Sequence, residues 1–106
     1  MIYELREYTV VPGRLPALIR RFNEHGLKGM SKHGMEVVFI SLTEFGTNTL
    51  NEIVYVLRFD SYDDLERKWK AFFADPEWIE AKRVSQVDGP IVASLRRRIL
   101  SATPFE

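Results

Sequence analysis

The chain has no cysteine. That excludes disulfides, a thiolate zinc site and a cysteine nucleophile. It fits a reducing compartment, and the expectation is a cytoplasmic protein. Charge of one sign is also missing: 15 basic and 15 acidic residues give a formal net charge of +0. A surface that displaces counterions from phosphate needs a basic excess, so no nucleic-acid partner is expected. No apolar run approaches the roughly 20 residues that span a bilayer, so no membrane partner is expected. The opening MIYELREYTV carries acids and lacks a basic start followed by an apolar stretch, so it does not read as a secretory signal. There are 2 histidines, His25 and His33, and no carboxylate pattern around them that would make a metal site. A glycine-rich phosphate loop, a nucleophile elbow and a dinucleotide fingerprint are all absent. No metal or other cofactor is therefore expected, and no residue is assigned as catalytic.

What is present is an ordinary globular mix, 45% hydrophobic and 28% charged over 106 residues. That length suits one domain, taken as residues 1–106. IYELREYTV, residues 2–10, is rich in β-branched and aromatic residues and predicts a strand. VPGR is a turn signal. Leu15, Leu18, Ile19 and Phe22 then recur at i, i+3, i+4 and i+7, one face of a helix. Pro16 is tolerable only in its first turn. Gly26 and Gly29 predict fraying or a bend between His25 and His33. VVFISLTE, residues 37–44, and EIVYVLRF, residues 52–59, predict two more strands joined by the loop FGTNTLN.

Ser61 has the chemistry of an N-cap, and Asp64 three residues on approximates a capping box. Leu65, Trp69, Phe72 and Phe73 follow at helical spacing and read as core. Pro76 cannot continue that helix, but it suits the first position of another, with Asp75 as cap and Glu77 near its positive end. ADPEW is therefore a stop and a restart, with Trp78 free to fold back on the junction. The second segment is expected to reach about Gln86. IVASLRRRIL, residues 91–100, predicts the last strand. The order is βαββαβ, which implies an α+β domain: a four-stranded antiparallel sheet with helices on one face. VVFISL and IVYVL are apolar on both faces, so something must cover the second face of the sheet. A second copy related by a twofold axis would do so, and a homodimer with a barrel-like interior is expected.

Three segments resemble the NIPSNAP family: MIYELREYTVVPGRL at the start, NEIVYVLRFDSYDDLERKWKAFFADPEW in the middle and RRILSATPF at the end. The resemblance implies a ferredoxin-like fold of the dimeric α+β barrel superfamily. It implies no settled activity. Eukaryotic members are associated with mitochondria, vesicle traffic and mitophagy signalling, and many bacterial members are small stand-alone domains. Related families on the fold include cofactor-free monooxygenases, haem-degrading enzymes and muconolactone isomerases. The third strand departs from the family pattern: Tyr55 stands where histidine is usual and Leu57 where tryptophan is usual. A tyrosine, with a reference pKa of about 10, is a poor base at neutral pH.

Alternation places Glu4, Arg6 and Tyr8 on one face of the first strand. With Tyr3 and Leu5 given to the helix layer, these three would turn toward the barrel interior. Two readings stand: an anion-binding pocket, or a buried Glu4–Arg6 ion pair with Tyr8 as wall. In the first, Arg6, Tyr8 and Tyr55, with Glu4 and Asn51 nearby, line a pocket within the barrel or between helices and sheet. It would suit a flat, mostly apolar small molecule with one carboxylate or enolate. His33, just before the second strand, is a further candidate for ligand contact, although histidines at helix ends often only cap. Arg96 to Arg98 read as solubility on an edge strand. The alternative to a ligand-binding barrel is a protein–protein interaction module, or an enzyme like the cofactor-free monooxygenases and isomerases.

Overall fold

The structure is a computed structural model and describes residues 1–105. Four strands form one antiparallel sheet in the order β2-β3-β1-β4: β1 (Ile2–Val10), β2 (Glu36–Leu42), β3 (Glu52–Phe59) and β4 (Val92–Ser101). Between β1 and β2 run α1 (Leu15–Arg21), a π-helical turn (Phe22–Gly26) and α2 (Leu27–Lys32). Between β3 and β4 run α3 (Tyr62–Ala74) and α4 (Pro76–Ser85). The order is the expected βαββαβ.

The sheet's helix-covered face is set by the odd-even phase of its two central strands. Ile2, Glu4, Arg6 and Val10 of β1 are buried, as are Ile53, Tyr55, Leu57 and Phe59 of β3. Cross-strand partners share a face, and Glu4 lies opposite Leu57, Arg6 opposite Tyr55. The expected orientation of β1 is thus reversed. Glu4, Arg6 and Tyr8 lie beneath the helices, and Tyr3 and Leu5 point to the uncovered face. The physical reason is that charge is a poor guide to facing when a core contains partners for it. Ile2 and Val10, in phase with Glu4, carried the better signal.

The first helical layer does not fray. Its glycines serve close packing instead. A Cβ on Gly29 would sit 2.7 Å from the Phe72 ring, and one on Gly26 would sit 3.3 Å from Phe22 and 3.8 Å from Trp78. Glycine lets α2 approach α3 at that distance. The π turn widens the helix where these contacts occur, and Leu18, Arg21, Phe22, Gly26 and Met30 are all buried.

The restart at Asp75 has the expected form. Ser61 caps α3 by accepting from the Asp64 amide at 3.1 Å. The Asp64 carboxylate in turn accepts from the Asp60 amide. Asp75 ends α3 and caps α4, its carboxylate accepting from the Glu77 amide at 2.9 Å, with Pro76 in the first turn. Trp78 then folds back onto Phe72, with ring centroids 4.8 Å apart.

The other face of the sheet carries Tyr3, Leu5, Val54, Val56, Phe39 and Leu100, together with the charged Glu7, Arg58, Arg96 and Arg98, by their pairing across β1, β2, β3 and β4. All are at least partly exposed, Phe39 to 50% and Leu100 to 42%. No described helix is long and apolar enough to cross a membrane.

Candidate functional site

Two adjoining features occupy the space between sheet and helices. The first is a polar cluster on β1 and β3. Arg6 donates through all three of its nitrogens: Nε to the Tyr55 hydroxyl at 2.7 Å, Nη1 to Glu4 Oε2 at 2.8 Å and Nη2 to the Tyr8 hydroxyl at 3.0 Å. Its guanidinium also lies 4.3 Å from the Trp69 ring centroid, inside cation–π range. Glu4 is fully buried and accepts from Trp69 Nε1 at 2.6 Å and Arg97 Nε at 2.6 Å as well. Buried charge is tolerable only with such partners. The cluster holds one carboxylate and two guanidinia.

The pKa shifts follow from this packing. Burial works against the Arg6 charge, but Tyr55, Tyr8 and Glu4 outweigh it and hold its pKa above the ordinary value. Tyr55 is pushed well above the usual tyrosine range, by burial first and by Tyr8 next, against the pull of Arg6. Tyr55 is therefore a neutral phenol at physiological pH, a donor and not a base.

The tyrosines leave one proton over. Both hydroxyls accept from Arg6, and they lie 2.9 Å from each other. Tyr55 is wholly buried with no other acceptor among the described residues, so its proton goes to Tyr8. The Tyr8 proton is then free to point outward.

Tyr8 is also part of the second feature, a cavity of about 30 Å³ lined by Tyr8, Arg21, Phe22, Met30, Trp69, Phe72, Phe73 and Trp78. Phe22 packs edge-on to Tyr55 at 5.3 Å, and Trp69 stacks on Phe73 at 5.1 Å. Two of the rings also face outward: Phe73 is half-exposed, and Trp78 forms part of the wall of two open grooves. They make a lid over the cavity.

Of the residues singled out from sequence, the structure brings together Glu4, Arg6, Tyr8 and Tyr55. It does not bring His33 or Asn51 to them. His33 Nε2 bonds to Asp75 Oδ2 at 2.7 Å, at the helix restart. Asn51 donates to the Val10 carbonyl at 3.1 Å, pinning the β2–β3 loop to the end of β1. Arg6, expected to meet an anion, already has one in Glu4. The residue that sequence reasoning missed is Arg21, whose burial was signalled by its place between Leu18 and Phe22, beside the apolar stripe. Arg97 was also missed: alternation puts it on the helix face, opposite Arg6. Among the described residues no group of three or more His, Cys, Asp or Glu could hold a metal ion.

The sequence model of the NIPSNAP family matches residues 3–106. This chain belongs to the NIPSNAP family. No curated protein matches it. Among solved structures, a NIPSNAP family protein with unknown function from Agrobacterium tumefaciens is 28% identical, with a TM-score of 0.81 over 94% of this chain and 86% of that one. An uncharacterized NIPSNAP-like domain protein from Burkholderia xenovorans is 23% identical, with a TM-score of 0.84 over 99% and 87%. A candidate antibiotic biosynthesis monooxygenase from Chloroflexus aurantiacus is 19% identical, with a TM-score of 0.59 over 94% and 91%, a likeness of fold. Tyr55 lies within the polar cluster, hydrogen-bonded to Arg6 and Tyr8. Burial keeps Tyr55 protonated, so it does not serve as a proton acceptor.

The Asp75 junction carries a testable pH dependence. Lys32, His33 and the Glu77 amide hold the Asp75 carboxyl below the usual carboxylate range. A depressed folded-state pKa contributes stability that is present above the unfolded pKa of about 4 and is lost as pH falls toward the folded value. The NIPSNAP domain is expected to lose stability on acidification below about pH 4. Asp75→Asn should be less stable than wild type at pH 7 and show a shallower loss in acid. Urea denaturation at several pH values checks this, and parallel profiles for the two proteins would remove Asp75 as the cause.

Proposed function

We propose that this NIPSNAP protein is a homodimer that binds a small, flat, mostly apolar molecule between the helix layer and the sheet of each protomer. The observation that carries the reading is the aromatic cavity beside the polar cluster. Rings wall it, Tyr8 is among its lining residues, and Phe73 and Trp78 stand between it and solvent. Ligand sites are concave and mostly apolar, with few polar groups that fix orientation. At about 30 Å³ the closed cavity has room for roughly one water molecule, so binding requires the lid of Phe73 and Trp78 to move. The dimer is supported by the uncovered sheet face. Its exposed apolar residues, Phe39 and Leu100 with Val54 and Val56, are what a twofold partner sheet would cover, with Glu7, Arg58, Arg96 and Arg98 among them as ion-pairing groups.

The experiment has two arms. Light scattering at micromolar concentration is expected to give twice the chain mass. A folded monomer sinks the dimer. Naphthalene methanol, a neutral flat probe, is expected to raise the melting temperature in a saturable way. No stabilisation by any flat aromatic probe removes the cleft as a ligand site. A protein–protein interaction module would then be favoured by Phe45, 95% exposed on the β2–β3 loop.

A further inference from the structure

Arg21 is the buried charge that the polar cluster does not absorb. It is 7% exposed. Among the described residues it has no carboxylate within ion-pair distance, and it makes one side-chain hydrogen bond, from Nη1 to Ser85 Oγ at 3.3 Å. Its guanidinium lies 5.6 Å from the Trp78 ring centroid, a contact that offsets only part of the lost hydration. Burial pulls its pKa below the ordinary arginine value, against Tyr8 and Tyr55, which raise it. The other buried ionic groups are better satisfied: Glu4 has Arg6 and Arg97, Asp64 has Arg67 and Lys68, Asp75 has Lys32, and Glu52, without a charged partner, accepts from Thr43 and Asn48. Fully buried charges are ordinarily paired. Arg21 stands in the wall of the aromatic cavity with its partner lacking. It also stands in the wall of an outer groove of about 200 Å³ between α1 and α4. The carboxylates of that groove, Glu24 and Asp88, are not within ion-pair distance of it.

We infer that Arg21 is the anion-recognising residue of the cleft, and that its ligand is a flat apolar molecule bearing one carboxylate or enolate. The inference rests on the cleft being a ligand site and adds the ligand's charge and the residue that reads it. The planar guanidinium offers two parallel donors to a carboxylate. The Tyr8 proton offers a third to the same oxygens, and the rings of Trp69, Phe72 and Trp78 hold the flat body. Arg21 stands in the walls of both the cavity and the outer groove, beside Trp78, so an acid entering past that ring would meet the guanidinium. Arg6, bound to Glu4 and both tyrosines, orients Tyr8 and does not meet the ligand.

The test uses a matched pair, naphthalene carboxylate and naphthalene methanol, with affinities from thermal shift or calorimetry on the whole chain. Wild type is expected to prefer the carboxylate by roughly ten- to a hundredfold, the range for a hydrogen bond to a charged group. Arg21→Gln should lose that preference and bind the alcohol as wild type does. Arg20→Gln, an exposed neighbour on the same helix, should keep it; loss there too would mean diffuse charge attraction and overturn the inference. If Arg21→Gln does not fold, Arg21→Lys decides. It keeps the charge but not the planar fork, and an undiminished preference in it overturns the inference. Equal binding of the two probes to wild type overturns Arg21 alone and leaves the cleft standing. Binding of neither probe overturns both.

Discussion

Replacing Glu4 with alanine is expected to cost about 3–5 kcal/mol, the range for breaking a buried ion pair by removing one partner. Domains of this kind are stable by only about 5–15 kcal/mol, so the variant should be marginal. The size follows from what one carboxylate satisfies. Its two oxygens accept from Arg6, Trp69 and Arg97 together. Without it, the Arg6 guanidinium stays buried with only phenols as acceptors, and the Trp69 indole loses its acceptor in the core. Glu4→Gln keeps the volume and one acceptor oxygen and should fall between wild type and alanine. The double variant Glu4→Leu with Arg6→Met removes both charges. It is expected to recover a large part of the loss, because a buried pair exchanged for apolar residues of similar size is often near neutral. Chemical denaturation of the three variants separates these cases. An alanine variant as stable as wild type would show the cluster to be hydrated and adaptable.

The contrast between Glu4 and Arg21 shows what was legible in the sequence. Element order was readable because strand and helix periods and the ADPEW punctuation are local signals. The caps at Ser61 and Asp75 could be placed from three or four residues each. The two-sided apolar character of β3 reflects Ile53, Tyr55 and Leu57 buried under the helices and Val54 and Val56 partly exposed on the other face. The facing of β1 was misread because Glu4 and Arg6 look like solvent or pocket residues until Trp69 and Arg97, 65 and 93 positions away, come into contact. Those contacts depend on how α3 and β4 are laid down, which no local pattern states. Asn51 was grouped with the cluster by its phase with Tyr55, and His33 by residue type, and the chain spends both on joints instead. Arg21 lies beside the apolar stripe of the first helix, where the π turn at Phe22–Gly26 follows it. The glycines at 26 and 29 read as weak helix because propensity is a local quantity. The reason for them is the ring of Phe72, a long-range neighbour.

Trp78→Ala should cost about 3 kcal/mol, near the lower end for removing a large aromatic side chain. The indole packs 4.8 Å from Phe72, lies under Arg21 and comes near Gly26, but it is only half-buried, which keeps the loss from the top of the range. Its removal also takes away half of the lid. The small closed cavity then joins the two open grooves that Trp78 now divides from it. The space left has the shape and apolar lining of an indole ring. Apolar cavities made by truncation stay dry and accept flat aromatic molecules. Free indole is therefore expected to raise the melting temperature of Trp78→Ala toward that of wild type, by mass action on the folded state. Wild type, with the space filled by its own side chain, should respond much less at the same concentration. The pair of measurements distinguishes two roles. Lost stability with indole rescue makes Trp78 a movable wall of the cleft. Lost stability without rescue makes it plain packing, with the neighbouring rings collapsing into the gap. Unchanged stability would place the indole in solvent, and the lid would then have to be Phe73 alone.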